Sequence, residues 1–224
     1  MTLRTKVIAW MVCLMTATTC FAQTDDAWNR DYLRIEQSIR QTVFADRTFL
    51  ITTYGASVSM DAAKNQVAIN KAIETCSKQG GGKVVIPAGE WHTGAIRLQS
   101  GVNLVVEKGA RVCFSSDTSL YPLVLTAWEG LDMYNYSPLI YAYQAKDVAV
   151  TGEGVLDGCA SREAWWPMCG AVKYGWTQET PEAQSYGNRN ALLKMSDDGV
   201  PVEQRIFGPS KGMRPLMIQL YECD

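Results

Sequence analysis

The 224-residue chain is 47% hydrophobic and 20% charged, with a net charge of −2 at pH 7. That composition supports one domain with a substantial core and excludes disorder of the chain as a whole. It holds no basic run and no aromatic-plus-basic cluster of the kind that neutralises phosphates, so no nucleic-acid partner is expected.

In chain order, residues 1–22 read as a signal peptide. Arg4 and Lys6 precede an apolar stretch from Val7 to about Met15, and small residues then lead to Phe21-Ala22-Gln23. The stretch is shorter than the roughly 20 apolar residues that cross a bilayer. The expectation is therefore export, to the periplasm or beyond, with no membrane span. Removing the segment takes away two positive charges and Cys13 and Cys20, leaving Cys76, Cys113, Cys159, Cys169 and Cys223. No pair has Cys-x-x-Cys spacing and the chain has a single histidine, so no metal site and no cofactor are expected. Cys159 and Cys169 are placed to pair across a loop, whereas Cys76 and Cys113 sit in apolar patterns typical of buried thiols.

Residues 23–47 form a helical segment in this reading, because Trp28, Tyr32, Ile35, Ile39 and Val43 recur at helical spacing. Phe49-Leu50-Ile51-Thr52 is a short strand. Asp61 to Gln79 is a second helix that turns Ile69, Ala72, Ile73 and Cys76 inward and stops at Gly80. The next stretch is the most informative. Gly80-Gly81-Gly82-Lys83-Val84-Val85-Ile86-Pro87-Ala88-Gly89 is followed by Ala95-Ile96-Arg97-Leu98, Val102-Asn103-Leu104-Val105-Val106 and Arg111-Val112-Cys113-Phe114. Strands this short, each closed by glycine, leave no room for helices between them and must connect by tight turns. Recurrence of Val84 at Val102 and of Ile96 at Val112 is the pattern of stacked solenoid coils. A solenoid needs its open end covered, and the second helix is the candidate cap.

An aromatic, loop-like insertion from Tyr121 to Tyr136 comes next. Strands resume at Leu139–Tyr143, Asp147–Thr151 and Gly154–Gly158. Residues 159–200 are the least regular part, and a last strand covers Leu216–Tyr221.

The ordered series Tyr54-Gly55-Ala56, Ala68-Ile69-Asn70-Lys71-Ala72-Ile73, the Gly80–Gly89 run, Trp128-Glu129-Gly130, Asn135-Tyr136-Ser137-Pro138-Leu139-Ile140-Tyr141-Ala142, Val150-Thr151-Gly152-Glu153-Gly154 with Leu156-Asp157-Gly158, and Arg214-Pro215 resembles glycoside hydrolase family 28. This is the polygalacturonase-like family, and the likeness is to its bacterial secreted members, N-terminal portion only. The resemblance implies an all-β fold, a right-handed parallel β-helix of the pectin-lyase-like type, with residues 48–224 as its N-terminal part under a helical cap. It implies O-glycosyl hydrolysis of pectic polysaccharide with inversion, and a pectic, galacturonan-type partner.

The family carries its chemistry on an Asn-Thr-Asp-like segment and an Asp-Asp pair, supported by Gly-His-Gly and Arg-Ile-Lys segments, all in coils after the Arg-Pro strand. None of the four is present here, so no catalytic residue carries over, and the chain reads as a fragment inactive on its own. Asp197-Asp198 is not that pair. Adjacent strand residues point to opposite faces, and the sequence around them reads as a solvated turn before the Arg-Pro strand. His92, within Trp91-His92-Thr93-Gly94, reads as a residue of a structural strand rather than an acid or base.

Trp128, Trp165, Trp166 and Trp176 are offered either to sugar rings or to loop packing, with packing favoured. Arg189 and Arg205 suit a uronate carboxylate or an acidic neighbour such as Glu203 or Asp198, and the substrate-binding residues stay unassigned. Beside the hydrolase stand a non-catalytic polysaccharide-binding module and a polysaccharide lyase, the last requiring an acidic calcium cluster that the sequence does not display. An uncovered last coil implies self-association.

Overall fold

The computed structural model describes residues 27–179 and 187–224; the signal-peptide reading lies outside them. The chain divides into two compact units, residues 1–42 and Val43–Asp224. In the first, residues 27–38 form helix α1, which ends before Ile39 and Val43 although the same spacing marks them.

The second unit begins with β1 (Thr48–Leu50) and a 3-10 turn at Ile51–Tyr54 that takes up the rest of the expected strand. Helix α2 (Ala62–Lys78) starts at Asp61, whose carboxylate accepts the Lys64 N–H, and closes just before Gly80 at φ +88°. The strands are β2 (Gly82–Ile86), β3 (Gly89–Thr93), β4 (Ile96–Arg97), β5 (Val102–Val106), β6 (Ala110–Phe114), β7 (Leu123–Trp128), β8 (Leu131–Tyr136), β9 (Ile140–Tyr143), β10 (Ala149–Gly152) and β11 (Val155–Asp157). Helix α3 (Arg189–Asp197) and β12 (Ile218–Tyr221) complete the unit.

Pairing makes the architecture plain. Sheet A runs β1-β2-β5-β10, sheet B runs β3-β6-β11 and sheet C runs β4-β9-β12, every pair parallel. From β2 onward the chain visits A, B and C in that order three times. Residues in register stack into interior rows: Phe49, Val84, Leu104 and Val150 in sheet A, Trp91, Val112 and Leu156 in sheet B, and Ile96, Ile140 and Ile218 in sheet C. Val84 therefore stacks on Leu104 rather than Val102, and Ile96 on Ile140 rather than Val112. Turn lengths differ between coils and an insertion separates β6 from β9, so spacing along the chain does not give the register.

That insertion is an antiparallel hairpin of β7 and β8, not a loop. Trp128 and Leu131 close it around Glu129 and Gly130, both at positive φ (49° and 86°). Two left-handed residues match the twist of a hairpin, which explains why glycine ends the Trp-Glu-Gly motif. The irregular stretch 159–200 contains α3, and Asp197-Asp198 closes that helix rather than forming a free turn. Leu192 of α3, Met133 of β8, Phe207 and Met213 make a second, smaller core.

Helix α2 covers one end of the coil. Ala68, Ile69, Ala72, Ile73 and Cys76 enter the main core, while the neighbouring side-chain amides do the work of a missing strand. Asn65 donates to the carbonyls of His92 and Ser57 and accepts the Ser57 N–H, each at 3.0 Å. Asn70 donates to Ala95 O (2.9 Å) and accepts the Arg97 N–H (2.8 Å), and Gln66 donates to Leu120 O (2.8 Å). Strands β3 and β4 have no strand neighbour on this side, so these amides satisfy backbone groups that would otherwise be orphaned. Leaving such a buried group unpaired costs about 1–3 kcal/mol.

At the other end β10, β11 and β12 are each paired on one side only. The consequence shows within single rows: Ile96 and Ile140 are fully buried, whereas Ile218 is 44% exposed and Leu220, beside buried Ala142, is 49% exposed.

Candidate functional site

The outer face of sheet C carries the richest set of side chains. In a parallel sheet, alternate residues face outward. Arg97, Tyr141 and Gln219 form one outward row, and Tyr143 and Tyr221 the next, with their rings stacked at 6.2 Å. Gln99 extends the second row, because Leu98 N–H bonds to Tyr141 O and continues the register past β4.

The β7–β8 hairpin leans over this face and is tied to the second and third strands of sheet C, β9 and β12. Tyr141 Oη donates to Leu125 O at 2.5 Å, Thr126 Oγ1 donates to Gln219 Oε1 at 2.5 Å, and Tyr221 Oη donates to Asp132. Burial pushes the Tyr141 hydroxyl up to about 12, so it remains a donor at any physiological pH.

Two adjoining hollows flank this ladder. The larger, about 740 Å³, lies between α2, β4 and β7, and the smaller, about 420 Å³, between Ser77, Ser100 and Tyr143; Arg97 and Gln99 border both. Together they form a trough along the outside of sheet C, open to an extended chain.

The outer face of sheet B is organised differently. Arg111 is held between Glu90 (3.1 Å) and Asp157 (2.8 Å), and His92 lies 3.5 Å from Glu90. Arg111 and the Cys159 N–H hold the Asp157 carboxyl below its ordinary range, with the N–H the larger cause. His92 is thus an exposed strand residue beside an ion-paired ladder. Below that ladder Cys113 and Cys159 are joined by a disulfide with Cα atoms 5.7 Å apart. This corrects both cysteine expectations: Cys159 pairs with Cys113 rather than Cys169, and Cys113 is not a buried thiol. The cause is register, since β6 and β11 set Cys113 beside Asp157, two residues from Cys159. Closing a 46-residue separation contributes about 4 kcal/mol in the chain-entropy account.

The remaining sequence candidates are engaged elsewhere. Arg189 pairs with Glu129 at 2.7 Å, and Arg205 donates to Val200 O at 2.8 Å, so Glu203 and Asp198, which the sequence offered as alternatives to a uronate, are not the partners these contacts show. Lys194 binds Asp198 at 2.8 Å. Trp165 is buried edge-on against Tyr121 at 5.3 Å, a packing role, while Trp166 is exposed and packs edge-on against Tyr174, and Trp128 and Trp176 are half-buried. The trough itself was not legible in the sequence, although the two-residue spacing Tyr141 and Tyr143 within an apolar run is the signal of a strand whose outer face is not plain solvent.

Inverting glycoside hydrolysis needs one carboxyl group kept protonated and one carboxylate. Among the described residues, the carboxyl groups that depart clearly from their ordinary acidity all move down: Asp61 through the Lys64 N–H, Glu74 through Lys78, Glu129 through Arg189, and Asp157 as above. No group of three or more metal-ligating side chains occurs among them, and no described helix is long and apolar enough to cross a membrane.

No family model matches the chain. It is 32% identical over 121 residues to a probable polygalacturonase of Vitis vinifera, covering 49% of this chain and 24% of that protein. It is 24% identical over 179 residues to an exo-poly-alpha-D-galacturonosidase of Dickeya chrysanthemi, covering 74% and 27%. In three dimensions it is similar to the crystal structure of a hyperthermoactive exopolygalacturonase from Thermotoga maritima, with a TM-score of 0.78 and 39% identity over 85% of this chain and 42% of that one. The chain thus spans about a quarter of the length of these curated relatives. It is polygalacturonase-like. Within that class the likeness is to glycoside hydrolase family 28, over the part of the chain that the matches cover.

Proposed function

We propose that residues 48–224 form coils of a right-handed parallel β-helix of the polygalacturonase type, and that the trough on sheet C holds a pectic, galacturonan-type polysaccharide outside the cell. The observation that carries this reading is the likeness to the Thermotoga exopolygalacturonase across 85% of the chain. The three-sheet circuit and its parallel pairing support the helical part of it. The associated chemistry is inverting hydrolysis of the glycosidic bond. The trough on sheet C is formed by the described residues, and its side chains serve to hold the polymer.

Retention on polygalacturonate beads tests the reading. The chain is expected to be retarded there and to pass unretarded through beads of a neutral galactan. Equal passage through both would overturn it.

Self-association belongs to the same proposal. Ile218 and Leu220 present an apolar, half-exposed edge beside the single-sided strand β12, and a second copy of this chain offers the matching edge. Sedimentation velocity at rising concentration is expected to show faster-moving species, reduced in the Ile218→Ser, Leu220→Ser double variant. A monomer at every concentration would contradict the idea.

A further inference from the structure

The trough is unevenly committed. Around its larger hollow nearly every polar group already has a partner. Gln66 and Asn70 are bonded to the backbone of the first coil, Tyr141 to Leu125, Ser137 to the carbonyl of Pro138 and Glu74 to Lys78. Three groups are left. The Lys71 ammonium on α2, the Arg97 guanidinium on β4 and the Gln99 amide make no hydrogen bond or ion pair with any described residue, and Lys71 and Arg97 both border the 740 Å³ hollow. Val67, Pro122 and Val124 supply an apolar wall to the same space.

Two uncommitted cations beside an apolar wall, with every nearby acid neutralised or absent, form a site selective for an anion that also carries an apolar face. A guanidinium offers a planar fork that matches a carboxylate in bidentate fashion, and a lysine adds a mobile point charge. The C–H face of a sugar ring packs against apolar side chains while its carboxylate projects sideways.

We propose that Arg97 and Lys71 form a uronate-reading subsite at the α2 end of the trough, binding the carboxylate of one acidic sugar residue whose ring lies against Val67, Pro122 and Val124. The inference deepens the reading of the trough as a polysaccharide-holding surface and rests on it. What it adds is the place and the means by which acidic sugar is told from neutral or esterified sugar. Arg97 is fixed for this task by Asn70, which accepts its backbone N–H, so α2 both caps the coil and orients the first cation of the trough.

The test is calorimetric titration of the full chain with trigalacturonate and with its fully methyl-esterified form, at low and at physiological salt. The unmodified chain is expected to bind the acid about ten times more tightly than the ester, and less so as salt rises. Arg97→Ala is expected to remove most of that preference and Lys71→Ala part of it, while the ester binds all three proteins alike. Arg97→Lys restores part of the loss. Neither side chain has a structural partner, so melting temperatures should stay within a degree or two, and a preserved melt separates lost recognition from lost fold. If the unmodified chain prefers the acid and both alanine variants keep that preference, the subsite is wrong while the polysaccharide reading stands. If the unmodified chain binds neither sugar, both fall.

Discussion

Polygalacturonate incubated with a chain of residues 23–224 is expected to show no release of reducing ends above the blank. Glycosidic cleavage by inversion requires a protonated carboxyl group on one side of the bond and a carboxylate about 6.5–9.5 Å away on the other, with room for water between. In the trough of sheet C the carboxylates are spoken for. Asp132 accepts the Tyr221 hydroxyl, Glu222 accepts the Gln144 amide at 2.8 Å, and Glu74 is paired with Lys78. Lys78 holds the Glu74 carboxyl below its ordinary range, the opposite of what a general acid needs. Removal of both catalytic groups from such an enzyme leaves nothing to supply the several orders of magnitude by which it exceeds water. A reducing-end signal that grows in proportion to protein concentration, and vanishes on heat denaturation, would contradict the assignment of the trough as a holding surface alone.

The second large effect is expected at Gly152. Its φ is +107°, a region that side-chain-bearing residues rarely adopt, and a Cβ built there would stand 2.0 Å from the carbonyl oxygen of Val106, its register partner on the coil below. Gly154 is equally confined, with Val106 Cγ1 at 2.5 Å and Glu107 O at 2.6 Å from its virtual Cβ, and its N–H bonds to Val106 O at 3.0 Å. The Gly-Glu-Gly motif is thus where the third coil descends onto the second, and backbone meets backbone with no space between. Gly152→Val combines conformational strain with overpacking against immovable main chain, and is expected to cost about 4 kcal/mol or more. For a chain of this size that is a fall in melting temperature of roughly 10 °C. Glu153→Ala, at the exposed residue between them, serves as the control and should move stability by less than about 0.5 kcal/mol. Denaturant unfolding followed by circular dichroism reads both, and a Gly152→Val protein as stable as the control would refute the stacking argument.

The legibility of this fold followed the range of the forces involved. Helix α2 was readable to within a residue at each end, because its cap Asp61, its inward positions Ile69, Ala72, Ile73 and Cys76 and its stop at Gly80 are all local. The short strands were readable for the same reason, since glycine corners punctuate them. Register was not. Whether Val84 stacks on Val102 or Leu104 depends on how many residues each turn consumes, and an interruption of the circuit by the β7–β8 hairpin displaced the partner of Ile96 to Ile140. The disulfide was misread by the same route, since Cys113 and Cys159 meet only once β6 and β11 lie side by side. The trough was hidden for a different reason. Tyr141, Tyr143 and Tyr221 look like core residues in an apolar run, and only the parallel pairing of β9 with β12 shows that they share the outer face with Arg97.

The central claim is that the outer face of sheet C, from the α2 cap to β12, is the surface on which an acidic polysaccharide lies. Amide chemical-shift mapping with trigalacturonate tests it most directly. The account predicts that perturbations concentrate on Arg97, Gln99, Tyr141, Tyr143, Gln219 and Tyr221, with the ladder of Glu90, Arg111 and Asp157 on sheet B unaffected. Perturbations centred on sheet B, or spread without preference over both faces, would contradict it.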